Sequence, residues 1–550
     1  MDGNRTAVTQ LARIGRNGLI LLPPAFLLIF FFYPLISIFA VSFADGSNGF
    51  AALVETDYFA RVFLFTTGQA ALSTLLTVGL ALPGAYAFAR FDFPGKTLLL
   101  SLSTLPFVLP TVVVAAAFSA LIGDRGLLPL NLDGTLTIIL IAHVFYNYAL
   151  ALRMISSLWA IQSPHMEEAA RVLGAHGWRL WWEIRLPAIR PALLAASALI
   201  FIFCFTSFGV ILILGGIRFA TVEVEIYRQT SGLLNLGVAA ALALLQLALM
   251  FALMLVYTRL QGGANTDVQS AQTIVRPVRT LRERLFVGGN IALMSVLLFA
   301  PLIALAIRSF WSPDGWTLNY YRLLSTNTRG SVLFVPPLEA VGNSVVYALA
   351  TTLLALVLGV IAAYGLARRP ASKFEARLTA LLDPIYMLPL ATSAVTLGFG
   401  FIIALDEPPL NLRTSRLLIV IAHTLVAMPF VVRSVLPALR SISPNVRGAA
   451  ATLGASPAAI WRLIDLPLIG RGLLVGATFA FTVSMGEFGA SLFVARPDTP
   501  TLPIVIFRLL GQPGAVNYGQ ALALSVILMG VCALGFILIE RARVLGIGEF

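Results

Sequence analysis

Glu167-Glu168-Ala169-Ala170-Arg171-Val172-Leu173-Gly174-Ala175, followed by Leu186-Pro187-Ala188-Ile189, decides the fold because the chain writes it twice. It returns 280 positions on as Arg447-Gly448-Ala449-Ala450-Ala451-Thr452-Leu453-Gly454-Ala455, followed by Leu466-Pro467-Leu468-Ile469. The same offset joins Ile141-Ala142-His143 to Ile421-Ala422-His423, Arg153 to Arg433, Ser163-Pro164 to Ser443-Pro444 and Trp181 to Trp461. Upstream, Ala85-Tyr86 and Ala89-Arg90 return as Ala363-Tyr364 and Ala367-Arg368, and Leu109-Pro110 as Leu388-Pro389, with small slips that fall in loops. An internal repeat of this kind fixes the architecture before any single residue is read.

The medium in which the repeat folds follows from composition. Of 550 residues, 59% are hydrophobic and 11% charged, against about 25% charged in an average soluble domain. The mean hydropathy is +0.91, and apolar runs of about 20 residues, enough to cross about 30 Å of hydrocarbon, recur along the chain. Twelve spans are expected: roughly 18–43, 63–88, 97–122, 136–158, 189–214 and 238–257, then 285–309, 341–367, 374–404, 415–438, 471–494 and 518–540. Lipid offers backbone groups no partner, so each is read as a helix. Cys204 and Cys532 both fall inside spans and form no disulfide framework. The apolar stretch from about Gly18 to Phe43 is too long for a signal-peptide core and lacks a small-residue cleavage site.

The net charge of +12 does not mark a nucleic-acid surface, because the arginines lie in short loops between spans with no interleaved aromatics. They mark topology. With the N-terminus in the cytoplasm, 26 of the 37 Lys and Arg, from Arg5, Arg13 and Arg16 to Arg541 and Arg543, fall on the cytoplasmic side, as the positive-inside rule requires. An even number of spans per copy inserts both copies the same way up, which makes the repeats parallel. The expected fold is therefore an all-α integral membrane protein of two parallel six-helix repeats. The first transmembrane domain is 1–257, 258–284 is a cytoplasmic linker, and the second domain is 285–550. Both chain termini are cytoplasmic.

The repeated polar segments, 163–187 and 443–467, then lie between the fourth and fifth spans of each copy on the cytoplasmic face. Ser163 is suited to cap a helix, Pro164 to its first turn, and Glu167 and Glu168 to its positive end. Gly174 permits a left-handed stop. A second short helix, about Trp178 to Ile184, is expected to break at Leu186-Pro187. Each copy thus reads as two short helices meeting at a glycine elbow. An amphipathic hairpin lying on the lipid, with Trp178, Trp181 and Trp182 as anchors, is the plainer alternative, but a matched pair of protrusions suits a two-fold partner better.

Glu168-Ala169-Ala170, Gly174 six residues on, Ile184 and Leu186-Pro187 resemble the EAA loop of binding-protein-dependent ABC importer permeases. The resemblance covers nearly the whole chain in two fused copies. It implies type I importer transmembrane domains whose coupling segments dock on two copies of a cytoplasmic ABC ATPase. An extracytoplasmic binding protein would deliver the substrate, and the location would be a bacterial inner membrane. It also implies that the chain is not an enzyme and binds no cofactor, ATP being held by partner subunits. The coupling residues it points to are Glu168, Ala169, Ala170, Gly174, Leu186 and Pro187, with Ala449, Ala450, Gly454, Leu466 and Pro467. The second copy has Gly448 where the motif has glutamate, which removes the charged part of docking there. Leu199 to Gly209, Thr221 to Gln229 and Met485-Gly486-Glu487-Phe488-Gly489 look like the thiamine and ferric-iron branch, with thiamine favoured.

Other chemistry is sparse. Gly95-Lys96-Thr97 lacks the glycine of a phosphate loop, the place being taken by Arg90. His143, His165, His176 and His423 show no metal pattern, and His143 and His423 read as interhelical hydrogen-bonders. Glu487, placed inside the eleventh span opposite Ser207 of the first copy, reads either as a pathway carboxylate for a cationic substrate or as a structural glutamate. The outer loops 215–237 and 495–517 carry Arg218, Glu223, Glu225, Arg228, Arg496, Asp498 and Arg508, both charge signs facing outward, which reads as plain solvated loops or, as the resemblance implies, as a docking rim for a soluble binding protein. A secondary transporter would expect inverted repeats and paired midplane charges. An intramembrane enzyme would need a second acid beside Glu487.

Overall fold

The computed structural model describes residues 18–44, 49–162, 164–262, 275–313, 315–327, 333–368, 370, 372–406, 408 and 410–544. Ten helices within these are long and apolar enough to cross a membrane, or twelve when two sharply bent pairs are each counted as one span. The bent pairs correct the third and ninth spans: Lys96–Val108 meets Thr111–Ile122 at 103°, and Lys373–Leu390 meets Ala394–Ala404 at 94°. In the first, Leu109 is extended (ψ 141°) ahead of Pro110, since a proline ring pushes the preceding residue out of the helical region. In the second, Ser393 accepts from Val395 N and starts a new helix as its cap.

The compact units are not the halves 1–257 and 285–550. Among the described residues, one unit comprises those within 18–44, 321–512 and 527–544, the other those within 49–320 and 513–526. The first span, Gly18–Ser42, therefore joins the unit built mainly from the second half. The seventh, Leu281–Ser309, joins that built mainly from the first. Packing explains the first exchange: a Cβ on Gly400 would lie 3.0 Å from Pro34 Cβ, so the glycine lets the first span close on Ala394–Ala404. Leu27 and Phe31 enter that unit's apolar core.

Residues 263–274 of the linker, like Ser163, Arg5, Arg13 and Arg16, lie outside the described residues. The linker's last stretch is ordered. Arg276–Pro277 pairs as a parallel strand with Phe91–Asp92, and Thr280 and Glu283 form a reciprocal capping box at the start of the seventh span.

Candidate functional site: two elbows and two interrupted spans

The first elbow helix, Pro164–Val172, stops because Gly174 adopts φ +90°, a region an L side chain avoids. Ala175 N–H then reaches back to Ala170 O at 2.9 Å, the bond that closes a left-handed helix stop. In the other unit, Pro444–Thr452 ends the same way: Gly454 has φ +87°, and Ala455 N–H bonds Ala450 O at 3.0 Å. Ser443 caps this second elbow helix, accepting from Asn445 N–H.

Beyond each glycine the expected break at Leu-Pro does not occur. Gly177–Phe205 and Pro457–Gly486 are continuous helical spans. A proline lacks the N–H for the carbonyl four residues back and crowds it; here the turn widens instead of breaking. Trp181–Arg185 and Trp461–Asp465 are π-turns, and the N–H groups of Leu186 and Leu466 bond back to Trp181 O and Trp461 O. Each elbow is therefore rigidly continuous with a span, through Leu186 and Pro187 in one unit and Leu466 and Pro467 in the other.

Within the first elbow Ala170, Ala175 and Leu180 form a small buried core, while Ala169 and Gly174 are exposed. Val172 and Leu173 stand 88% and 86% exposed. On the second elbow Leu453, the repeat partner of Leu173, is 88% exposed; Ala449 and Gly448 are exposed and Ala450 half-buried. Trp178 and Trp182 stack at 5.4 Å on the first elbow only.

The two glutamates of the first elbow part company. Glu168 is exposed and pairs with His165. Glu167 turns inward, with Arg185 Nη2 at 2.8 Å, Arg90 Nη2 at 3.4 Å and Arg171 Nη2 at 3.8 Å. In the second elbow Arg447 Nε lies 2.8 Å from Asp465 Oδ1. The sequence did not reveal Arg185 and Asp465 as the partners of Glu167 and Arg447, although the 280-residue offset superposes 167 on 447 and 185 on 465.

The fifth and eleventh spans both stop short. After Leu186–Phe205 the chain breaks at Ser207, which is half-buried, and resumes as Gly209–Leu214 and Val222–Tyr227. After Leu466–Gly486 it breaks at Glu487 and resumes as Ser491–Val494 and Leu502–Leu510. Glu487 is thus not inside the span but at its C-cap, and it has partners. Its carboxylate accepts from Ala490 N–H, Ser491 N–H and Ser491 Oγ at 2.7, 2.8 and 2.7 Å. His423 Nε2 lies 3.3 Å away, and the glutamate is 7% exposed. The geometry gives this side chain a structural post, tying the turn that follows the eleventh span to the tenth span. His423 also meets Ser484 and Ser491, whereas His143 meets Ser73 at 2.9 Å.

Glu223 and Glu225, expected on an outward rim, are fully buried. Glu225 accepts from Tyr58 Oη at 2.8 Å, Gln229 Nε2 at 2.6 Å and Arg228 Nη2 at 3.1 Å, and Glu223 accepts from Gln246 Nε2. A signal was present. Val222, Val224 and Ile226 leave no polar face around the acids, and Gln246 is a lone amide in an apolar span, which calls for a polar partner. Arg496 and Asp498 do lie in an exposed loop between Ser491–Val494 and Leu502–Leu510, where the hydrogen bond from Arg496 holds the Asp498 carboxyl below its ordinary range.

Comparison with known proteins agrees with this architecture. Residues 79–264 and 355–543 each match the family described as binding-protein-dependent transport system inner membrane component. Neither match includes the exchanged first or seventh span. The thiamine transport system permease protein ThiP of Brucella abortus is 30% identical over 524 residues, 92% of each chain. That of Escherichia coli is 28% identical over 509 residues, 90% of this chain and 91% of its own. The molybdenum transport system permease protein ModB of Mycobacterium bovis is 33% identical over 253 residues, 44% of this chain but 87% of its own, so one copy of the repeat spans most of that protein.

Proposed function

This chain belongs to the binding-protein-dependent transport system inner membrane components, and we propose that it is the fused permease through which an ATP-driven importer moves thiamine. The observation that carries the proposal is the pair of elbows, each ending in an exposed leucine and each continuous through a π-turn with a span. Leu173 and Leu453, with Val172, would seat in clefts of a separate cytoplasmic ATPase, one copy per elbow. Glu168 would add charge to the first contact, and the second, with Gly448, would rest on apolar burial. A displaced elbow would then tilt its span without a soft joint between them. Closure of the ATPase on nucleotide would bias the permease between access states, because only differential affinity for two states can shift their balance.

Thiamine is favoured by the two thiamine transport permeases, which are similar to this chain over nearly the whole length of both, whereas the molybdenum permease matches one copy alone. A soluble binding protein would present it at the outer loops that carry Arg218, Arg496 and Asp498. Elbows and termini would be cytoplasmic, in the inner membrane. The test is uptake of labelled thiamine by cells lacking the gene for this chain: uptake should fall to background and return with the wild-type chain. Unchanged thiamine uptake in the deletion would remove the substrate assignment.

A further inference from the structure

We propose that Glu167 with Arg185, and Arg447 with Asp465, are positioning pairs that set the angle of each elbow against its own span, with the polarity exchanged between the two halves. The proposal rests on the importer reading above and names the residues that keep its elbows aimed. In each unit the charge on the first turns of the elbow helix meets a charge at the end of the π-turn at 2.8 Å. Carboxylate and guanidinium have changed places, yet the contact is the same. Four residues, Leu173–His176 in one unit and Leu453–Ser456 in the other, turn the elbow helix into its span, and the pair braces that turn from its open side, closing the bracket.

The third member is a tyrosine whose role inverts with the charges. Tyr86 Oη accepts from Arg185 Nη2 at 3.3 Å, and the Arg185 guanidinium lies 4.9 Å from the Tyr86 ring centroid. Tyr364, its repeat partner, donates its hydroxyl to Asp465 Oδ2 at 3.0 Å. A phenol can do either, so the same residue type serves both polarities. Tyr86 lies on Asp57–Arg90 and Tyr364 on Pro337–Ala367, which extends each bracket to the second span of its copy. Glu167 and Arg185 are 14% and 18% exposed and Asp465 is 7%. These charges are committed inside the elbow, leaving Glu168 as the outward acid.

The experiment uses the full chain in proteoliposomes with its ATPase and binding protein. Two readouts are taken: binding-protein stimulation of ATP hydrolysis in the unlabelled chain, and, in a separate preparation of the chain alone, the distance between spin labels on Val172→Cys and Asp92→Cys with Cys204 and Cys532 replaced by Ala. Glu167→Gln should insert and retain the ATPase, yet lose stimulation on the order of tenfold, the scale of one charge-assisted contact, and broaden the distance distribution. Glu167→Arg combined with Arg185→Asp copies the second half and should restore both readouts to within about twofold of wild type, well inside that one-contact scale. Its neighbour Arg90 keeps a partner of its own in Gln162 O at 2.9 Å, and the second copy also carries an arginine, Arg368, at the corresponding sequence position. Asp465→Asn and the exchange of Arg447 with Asp465 repeat the test in the other unit. Unchanged stimulation and distance in Glu167→Gln, or an exchanged variant that assembles but stays uncoupled, would overturn the proposal. A wild-type chain that moves no thiamine would instead fail the importer reading, while the label distance, read within this chain alone, would still judge the bracket.

Discussion

His423 Nε2 lies 3.3 Å from Glu487 Oε2, and both side chains are buried where the eleventh span ends. The carboxylate also covers two backbone N–H groups of the following turn. Glu487→Leu would leave both donors without an acceptor, at about 1–3 kcal/mol each, and would lower the yield and melting temperature of the purified chain. Glu487→Gln keeps an acceptor and should be milder, with uptake retained. A stable Glu487→Gln variant that transports nothing would return the charge itself to the substrate pathway.

Gly174 and Gly454 have no atom within 4 Å of where a Cβ would be built, so their substitution acts through backbone conformation alone. A left-handed φ costs an L residue about 1–2 kcal/mol, and valine is among the worst placed. Gly174→Val or Gly454→Val should insert normally, misaim the elbow helix, and reduce both ATPase co-purification and uptake. Full uptake by either variant would remove the glycine stop from the coupling argument.

The buried Glu225 holds Tyr58, Arg228 and Gln229 at once. Its repeat partner Val505 is fully buried, so the fold manages this place without charge. Glu225→Val alone strands the other three groups and should destabilise the chain by about 3 kcal/mol, the low end for breaking a buried pair, because Arg228 is partly exposed. Glu225→Val with Tyr58→Phe, Arg228→Leu and Gln229→Leu should recover most of that loss in thermal unfolding, since apolar replacement of a whole buried network is often neutral.

Orientation is checked by thiol chemistry. Leu173→Cys and Leu453→Cys, in a background without Cys204 and Cys532, should be shielded from an impermeant reagent in intact cells and labelled in inverted vesicles. Labelling from outside would put the elbows on the wrong face for an ATPase.

Much of this architecture was legible in the chain. The repeat, the spans and the two glycine stops follow from periodicity, hydropathy and a residue type that alone tolerates φ near +90°. The misses share a cause, since sequence offset reports which positions correspond but not what neighbouring segments do for them. Pro187 and Pro467 read as breaks because a proline normally ends a helix, and the π-turns that absorb them depend on geometry a pattern does not encode. Glu223 and Glu225 read as solvated because loops between spans are usually wet, yet Gln246 and Tyr58 approach them from distant spans. The exchange of first spans was hidden for the same reason. Gly400 looks like any other span glycine until Pro34 packs on it.

The central claim is that this chain is driven by ATP acting through its elbows. The most direct measurement is uptake of labelled thiamine into proteoliposomes holding the chain, its ATPase and its binding protein. The account predicts accumulation that requires ATP, ceases with a hydrolysis-deficient ATPase, and persists when ion gradients are collapsed. Uptake that proceeds without ATP or ATPase and disappears when the ion gradient is dissipated would contradict it.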